Sequence, residues 1–416
     1  MTKTDEIAGH AVVRDAAGRL QPWTSWREAL ALEMRFYRTC PTDHGYPRFV
    51  CETFLDAGWN PSNGRSDIIP ATQNGTGILS YLKYFDFTAR QDPWLLDTAM
   101  SMGDYLVGET LTPGAGAYPR FTRSTGLRQQ FPLAADSGSQ SDRPYEIEPD
   151  KGGIAGYALT QLYEAARSRD PGRAGRYLDQ ALRNARVLAA NQQPGDAGCS
   201  PWPFRVDYRS GESRGPVSGN MSFILRLYEA LLALEFREFR APRDLLWSWI
   251  SRYQLASAAS DGALFAQFFE DHDTPTNRSA WAPLNLARYL LERRGSAQPS
   301  WLDDAGLLID FTRRNFTHLE FGTTVCHEQD EDPQAWGGVN STYGAVLAMY
   351  AAAAGSRTLA DEAQRALNFT LYSIDADGRP RDVHTNPAAG GWQEDAHTDV
   401  IHNYVDALRA GTLPVQ

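Results

Sequence analysis

Residues 150–192 read DKGGIAGYALTQLYEAARSRDPGRAGRYLDQALRNARVLAANQ. The first half sets Ile154, Ala158, Leu162 and Ala165 at the spacing of one helical stripe, with Asp150 as the expected cap. A break at RDPGR, 169–173, separates it from a second stripe of Leu178, Leu182, Ala185 and Ala189. Two helices joined by so short a break fold back on one another, so the stretch predicts a helical hairpin.

The same unit recurs along the chain. Helical patterns at 72–88 and 92–109, 218–234 and 243–256, 278–294 and 300–316, and 338–354 and 358–374 make four more pairs. The helix at 22–38 has no partner before it and the helix at 397–410 has none after it, so pairing first with last supplies a sixth hairpin and closes a ring. The first helices of the pairs are the more apolar and the richer in Gly and Ala. That composition predicts an inner barrel, because a helix that is apolar around most of its circumference must be buried. One all-α domain over 1–416 is expected, with the long loops between hairpins gathered at the N-terminal ends of the inner helices.

Those loops share a signature. YPRF occurs at 46–49 and again at 118–121, and CSPWPFRVDYRSGE at 199–212 is a longer relative. Alternation closed by Gly predicts small rim hairpins, with their aromatics and arginines turned toward a binding mouth.

Composition sets bounds. Apolar residues at 42% and charged residues at 22% suit a globular chain with a large core. A net charge of -11 disfavours a nucleic-acid partner, which needs clustered cations to neutralise phosphates. No segment offers eighteen uninterrupted apolar residues and the N-terminus lacks a signal-peptide pattern, so no membrane partner is expected. The expected location is the cytoplasm, or outside it if a signal peptide has been removed. Cys40, Cys51, Cys199 and Cys326 are too scattered for a disulfide framework. No cofactor is expected, and the lack of a Gly-rich phosphate loop and of a Gly-x-Ser-x-Gly turn disfavours nucleotide and serine-hydrolase chemistry.

With six hairpins, asymmetric loops and an aromatic rim, the chain resembles the (α/α)6 toroids of the six-hairpin glycosidase class. The resemblance implies one toroid with small β-hairpin loops, and a hydrolase, lyase or epimerase acting on an oligosaccharide or polysaccharide. It names no single family, so the chemistry rests on residues.

Carboxylates cluster where inner helices begin, at Glu146, Glu148 and Asp150, at Glu270, Asp271 and Asp273, around Glu328, and at Glu394, Asp395 and Asp399. Hydrolysis of a glycoside needs two of them, one protonated and one ionised, and the candidates are Glu148, Asp150, Glu328 and Asp395. The plainer reading is that acids there cap helices. A second chemistry removes a proton from a uronate or a sugar carbon, with His327, Tyr343 and His402 as bases and Asn340 and Asn403 as carboxylate-neutralising amides. The alternative for the amides is that they tie neighbouring repeats together. Tyr118, Tyr145, Trp202, Trp336 and Trp392 are the candidate stacking platforms, Arg120, Arg205 and Arg381 the candidate carboxylate readers, and His397 a further contact.

Cys199 with Cys326 and His327 resembles the zinc set of lanthionine cyclases. The glycine motif after the histidine is replaced by Glu328, and no metal is expected. Three functions therefore stand: a hydrolase of a uronate-containing glycan, a uronate lyase or C5/C2 sugar epimerase, and a noncatalytic glycan-binding toroid.

Overall fold

The computed structural model describes residues 6–47, 54–55, 69–124, 145–268, 274–335, 337–380, 392–393 and 397–411. In chain order the helices are α1 (Trp26–Thr39), α2 (Pro70–Phe87), α3 (Pro93–Gly108), α4 (Pro149–Ala166), α5 (Pro171–Ala190), α6 (Ser222–Ala233), α7 (Arg240–Trp249), α8 (Leu255–Ala258), α9 (Trp281–Arg293), α10 (Trp301–Phe316), α11 (Gly337–Ala354), α12 (Arg357–Leu371) and α13 (His397–Arg409). Each segment expected to be helical is so. The stretch expected as one helix at 243–256 starts earlier, at Arg240, and runs through a π turn, Ile250–Gln254, between α7 and α8.

The chain packs as two compact units. One comprises residues 44–46 and 65–282, the other residues 1–43, 47–64 and 283–416.

In the first unit α2, α4 and α6 lie side by side, and α3, α5 and α7 each pack on the helix before them. Proline opens α2, α3, α4 and α5, where its missing N–H costs nothing and its fixed φ suits the first turn. The helix α4 therefore begins at Pro149, and Asp150 sits inside its first turn and not at the cap. Its buried residues run round the whole helix, from Pro149 through Gly156 and on to Leu162, whereas α5 buries the single stripe of Tyr177, Ala181, Ala185 and Leu188. Leu178 and Ala189 lie at the edge of that stripe, half-exposed. The inner helices approach closely because of their glycines: a Cβ on Gly153 would stand 2.5 Å from Ile224 Cγ1 of α6.

The 199–212 loop forms the expected hairpin. Strand Arg205–Asp207 pairs with Ser213–Arg214 on one side and with Glu146–Ile147 on the other. The 118–121 loop forms no named strand but closes with an antiparallel bridge, Leu111 to Thr122, flanked by hydrogen bonds from Thr112 N to Phe121 O and from Arg123 N to Thr110 O. Side-chain amides of Gln180 and Asn191 tie it to α5 and its C-terminal end.

In the second unit α11 packs against both α12 and α13, and α9 leads through the 3-10 turn Arg294–Ser296 into α10. The first and last helices meet there through the rings of Trp26 and Tyr404. Residues 6–21, for which the sequence suggested no structure, form two small hairpins, Glu6–Ile7 with His10–Ala11 and Val13–Arg14 with Leu20–Gln21. Ile7 and Leu20 bury themselves against Phe369, Tyr372 and Val325, and Asn368 and Tyr372 donate to the carbonyls of Leu20 and Gln21.

Candidate functional site

Among the described residues, each unit carries a buried cluster of charged side chains on its inner helices. In the first unit Glu148 precedes α4 and the opening turn of α4 carries Asp150 and Lys151, and all three are fully buried with Arg205. Arg205 Nε donates to Glu148 Oε1 at 3.1 Å; Lys151 Nζ stands 3.2 Å from Asp150 Oδ2 and 3.5 Å from Glu148 Oε2. Lys151 also donates to the carbonyl of Phe268 and lies 3.6 Å over its ring, while Arg205 lies over Phe204. Glycine follows directly: a Cβ at Gly152 would collide with the ring of Phe121, so the chain that aims these charges also needs the small residue. Burial pushes the Asp150 carboxyl up, against the pull of Lys151. Its Oδ1 is buried without a hydrogen bond among the described residues.

In the second unit Arg288 of α9 is buried beside α13. Its Nη1 lies 2.5 Å from His402 Nε2, its Nη2 donates to Asn403 Oδ1, and its Nε stands 3.7 Å from Asp406 Oδ2. A guanidinium can only donate, so His402 Nε2 must accept, which makes the imidazole the neutral Nδ1–H tautomer. Asn403 then donates to Ser341 Oγ at 2.7 Å and Thr342 Oγ1 at 2.9 Å on α11, which fixes the amide and through it the guanidinium. His402 is 6% exposed and Arg288 5%, so both sit almost dry.

The other expected residues fall into different roles. Asn340 spends its amide on the backbone of Cys326, with both contacts 2.7 Å, and Asn403 is committed as described; both amides tie elements together and neither is open to neutralise a uronate. Tyr343 is a correction to its expected role as a base. Its hydroxyl donates to Glu362 Oε1 of the outer helix α12 at 2.7 Å, Glu362 is held by Arg313 of α10, and burial pushes the phenol far above its ordinary value. Trp202 is fully buried with its indole N–H on the carbonyl of Leu188, and Tyr118 is packed edge-on against Phe121, so neither offers a face for stacking. Tyr145 is exposed, but Arg209 lies 3.3 Å over its ring. Arg120 is exposed beside α5, apart from the Glu148 cluster.

In the loop after strand Thr323–Cys326, burial lowers the affinity of His327 for a proton, and nearby His318 lowers it further. Glu328 is half-buried; after burial itself, its charge is the next cause that raises the Cys326 thiol. Among the described residues no group of three or more His, Cys, Asp or Glu stands close enough to hold a metal ion. Trp336, Arg381 and Asp395, with Glu270, Asp271, Asp273 and Glu394, lie outside the described residues. Trp392 pairs opposite Leu55 and His397 opens α13, and beyond the backbone these two also lie outside them.

Sequence reasoning missed Arg288, Lys151 and Asp406. A signal existed for the first and last: Arg288 interrupts the apolar run of an inner helix, and Asp406 follows His402 by one helical turn.

No family model matches the chain, and no curated protein matches it. Solved structures do resemble it. A D-mannose isomerase superposes with a TM-score of 0.64 at 14% identity, covering 95% of this chain and 100% of that one. A cellobiose 2-epimerase from Spirochaeta thermophila DSM 6192 gives 0.63 at 14%, covering 92% and 95%. A family 76 glycoside hydrolase from a bovine Bacteroides thetaiotaomicron strain gives 0.57 at 14%, covering 93% and 78%. The fold is thus an all-α (α/α)6 toroid of helical hairpins with small antiparallel β-hairpins. At this identity the likeness speaks for the fold and not the reaction.

Proposed function

We propose that the chain is a carbohydrate-active enzyme that moves a proton on a reducing sugar, as a C2 epimerase or an aldose–ketose isomerase. The observation that carries this reading is the neutral His402 imidazole held 2.5 Å from the Arg288 guanidinium in a nearly dry setting. Once a sugar carbonyl oxygen takes over the hydrogen bond from Arg288, His402 Nε2 is free to remove the proton from the adjacent carbon. The electron pair moves to the oxygen, and the guanidinium holds the resulting enediolate. Return of the proton from His402 to the other face of C2, after the enediolate has turned over in the site, gives the epimer; its return to C1, with the O2 hydroxyl proton passing to O1, gives the isomer. Asn403 and Asp406 keep the guanidinium in place through the cycle. Support comes also from the match in extent with the D-mannose isomerase and the cellobiose 2-epimerase, 100% and 95% of whose chains are covered. That match equally favours one catalytic domain over the whole chain.

A second reading is hydrolysis by Glu148 and Asp150. It is favoured by the different environments of the two acids: Glu148 is ion-paired with both Arg205 and Lys151, while burial raises the Asp150 carboxyl, as a general acid requires.

The experiment is a panel of mannose, fructose, glucose, cellobiose and uronate polysaccharides in deuterated water. It follows carbon-bound deuterium by NMR, reducing ends, and the ultraviolet absorbance of an unsaturated uronate. Deuterium at C2 with no new reducing ends supports proton transfer. Reducing ends without absorbance move the assignment to Glu148 and Asp150; absorbance assigns a lyase.

A further inference from the structure

On the outer face of α5 a cavity of about 380 Å³ lies between that helix and the loop ending at Arg120. Arg120, Arg183 and Arg186 line it together with Asp179, Leu182 and Val187. Three cations gathered in one hollow stand out on a chain of net charge -11. Arg186 is shared with Glu238 at 3.1 Å. Arg120 and Arg183 have no side-chain hydrogen bond or ion pair among the described residues, although arginines elsewhere on this surface are paired with Asp or Glu.

The pocket is also built. Arg120 holds a left-handed backbone conformation, φ 49°, which is uncommon for a residue with a side chain. Its N–H donates to Pro113 O at 2.9 Å and its carbonyl accepts from Gln180 Nε2 of α5 at 2.8 Å. The loop is tied down again by Asn191 Nδ2 on the carbonyl of Ala117 and by Asn184 at Thr122. The guanidinium of Arg120 is thereby set over the face of α5 that presents Arg183 and Arg186 one turn apart.

We propose that this pocket binds a phosphate-bearing small molecule. Arg186 is compensated by Glu238, and the case for phosphate rests on donors: the guanidinium groups of Arg120 and Arg183 offer more N–H groups than the two oxygens of one carboxylate can accept, and a phosphate presents more acceptor oxygens. The volume suits a ligand of hexose monophosphate size, and Asp179 can accept hydrogen bonds from sugar hydroxyls. The proposal is independent of the reaction assigned above, since none of these residues belongs to either buried cluster.

The test is calorimetric titration of the full chain at low ionic strength with inorganic phosphate and with glucose 6-phosphate. Saturable binding is expected, weakened about tenfold by Arg183→Gln and further by Arg120→Gln with Arg183→Gln. Raised salt weakens it as well, because the pocket is open to solvent. Arg183 lies on a helix surface without a side-chain partner among the described residues, so Arg183→Gln should leave the unfolding temperature unchanged. Tighter binding of the ester assigns the site to a phosphorylated sugar, and equal binding assigns it to free phosphate. No saturable binding of either probe, or binding unchanged in the double variant, overturns the proposal.

Discussion

The rings of Trp26 and Tyr404 meet edge to face, their centroids 4.8 Å apart and their planes at 87°. One belongs to the first helix of the chain and the other to the last, and both are buried. The contact realises a pairing that counting helices alone predicts. Trp26→Ala should therefore cost about 3–5 kcal/mol in denaturant unfolding, as loss of a buried Trp does. A double-mutant cycle with Tyr404→Leu should give a coupling of about 0.5–1.5 kcal/mol. Strictly additive effects would mean that the rings only share a core.

Tyr343→Phe tests the corrected role of that residue. Loss of the bond to Glu362 should destabilise the fold by roughly 1–3 kcal/mol and leave turnover within about threefold of wild type. A loss of a hundredfold or more would return Tyr343 to the chemistry.

Asp150 sets a pH dependence. Its folded carboxyl titrates above the ordinary 3.8 because burial penalises the charge. Between the unfolded and folded values the unfolded chain has lost the proton and the folded chain keeps it. This group's stabilising contribution is therefore full below the unfolded value and is lost as pH rises through the folded one. Asp150→Asn, which mimics the protonated acid, should flatten that decline in unfolding curves taken from pH 4 upward. A variant much less stable than wild type at pH 7 would show that the carboxylate is ionised and bound to Lys151.

Thiol reactivity separates the cysteines. Cys326 is buried, and burial together with Glu328 raises its thiol. It should stay unmodified by an aromatic disulfide reagent in the native protein and react on unfolding, while half-exposed Cys199 reacts before it. Mass spectrometry of the labelled peptides reads the order.

The helix pairs were legible because amphipathic stripes separated by short breaks leave few ways to pack, and α4 and α5 follow that logic closely. Burial around α4 and α11 was legible for the same reason, from their glycines and alanines. The site was less so. Trp202 and Tyr118 lie in loops whose composition suggests exposure, yet whether a ring faces solvent or core depends on partners such as Leu188 that sequence spacing does not place. Asn340 and Asn403 look equally suited to a ligand or a backbone, and three-dimensional reach decided it. Arg288 and Lys151 resemble surface cations in one dimension, and only the packing of α9 and α4 makes them interior.

The most direct test of the proton-transfer account is deuterium exchange at C2 of the best sugar from the panel, measured by NMR for wild type, His402→Asn and Arg288→Lys. The account predicts exchange by wild type and a loss of about a hundredfold to ten-thousandfold in His402→Asn, with Arg288→Lys also impaired. Exchange that persists at the wild-type rate in His402→Asn would contradict it.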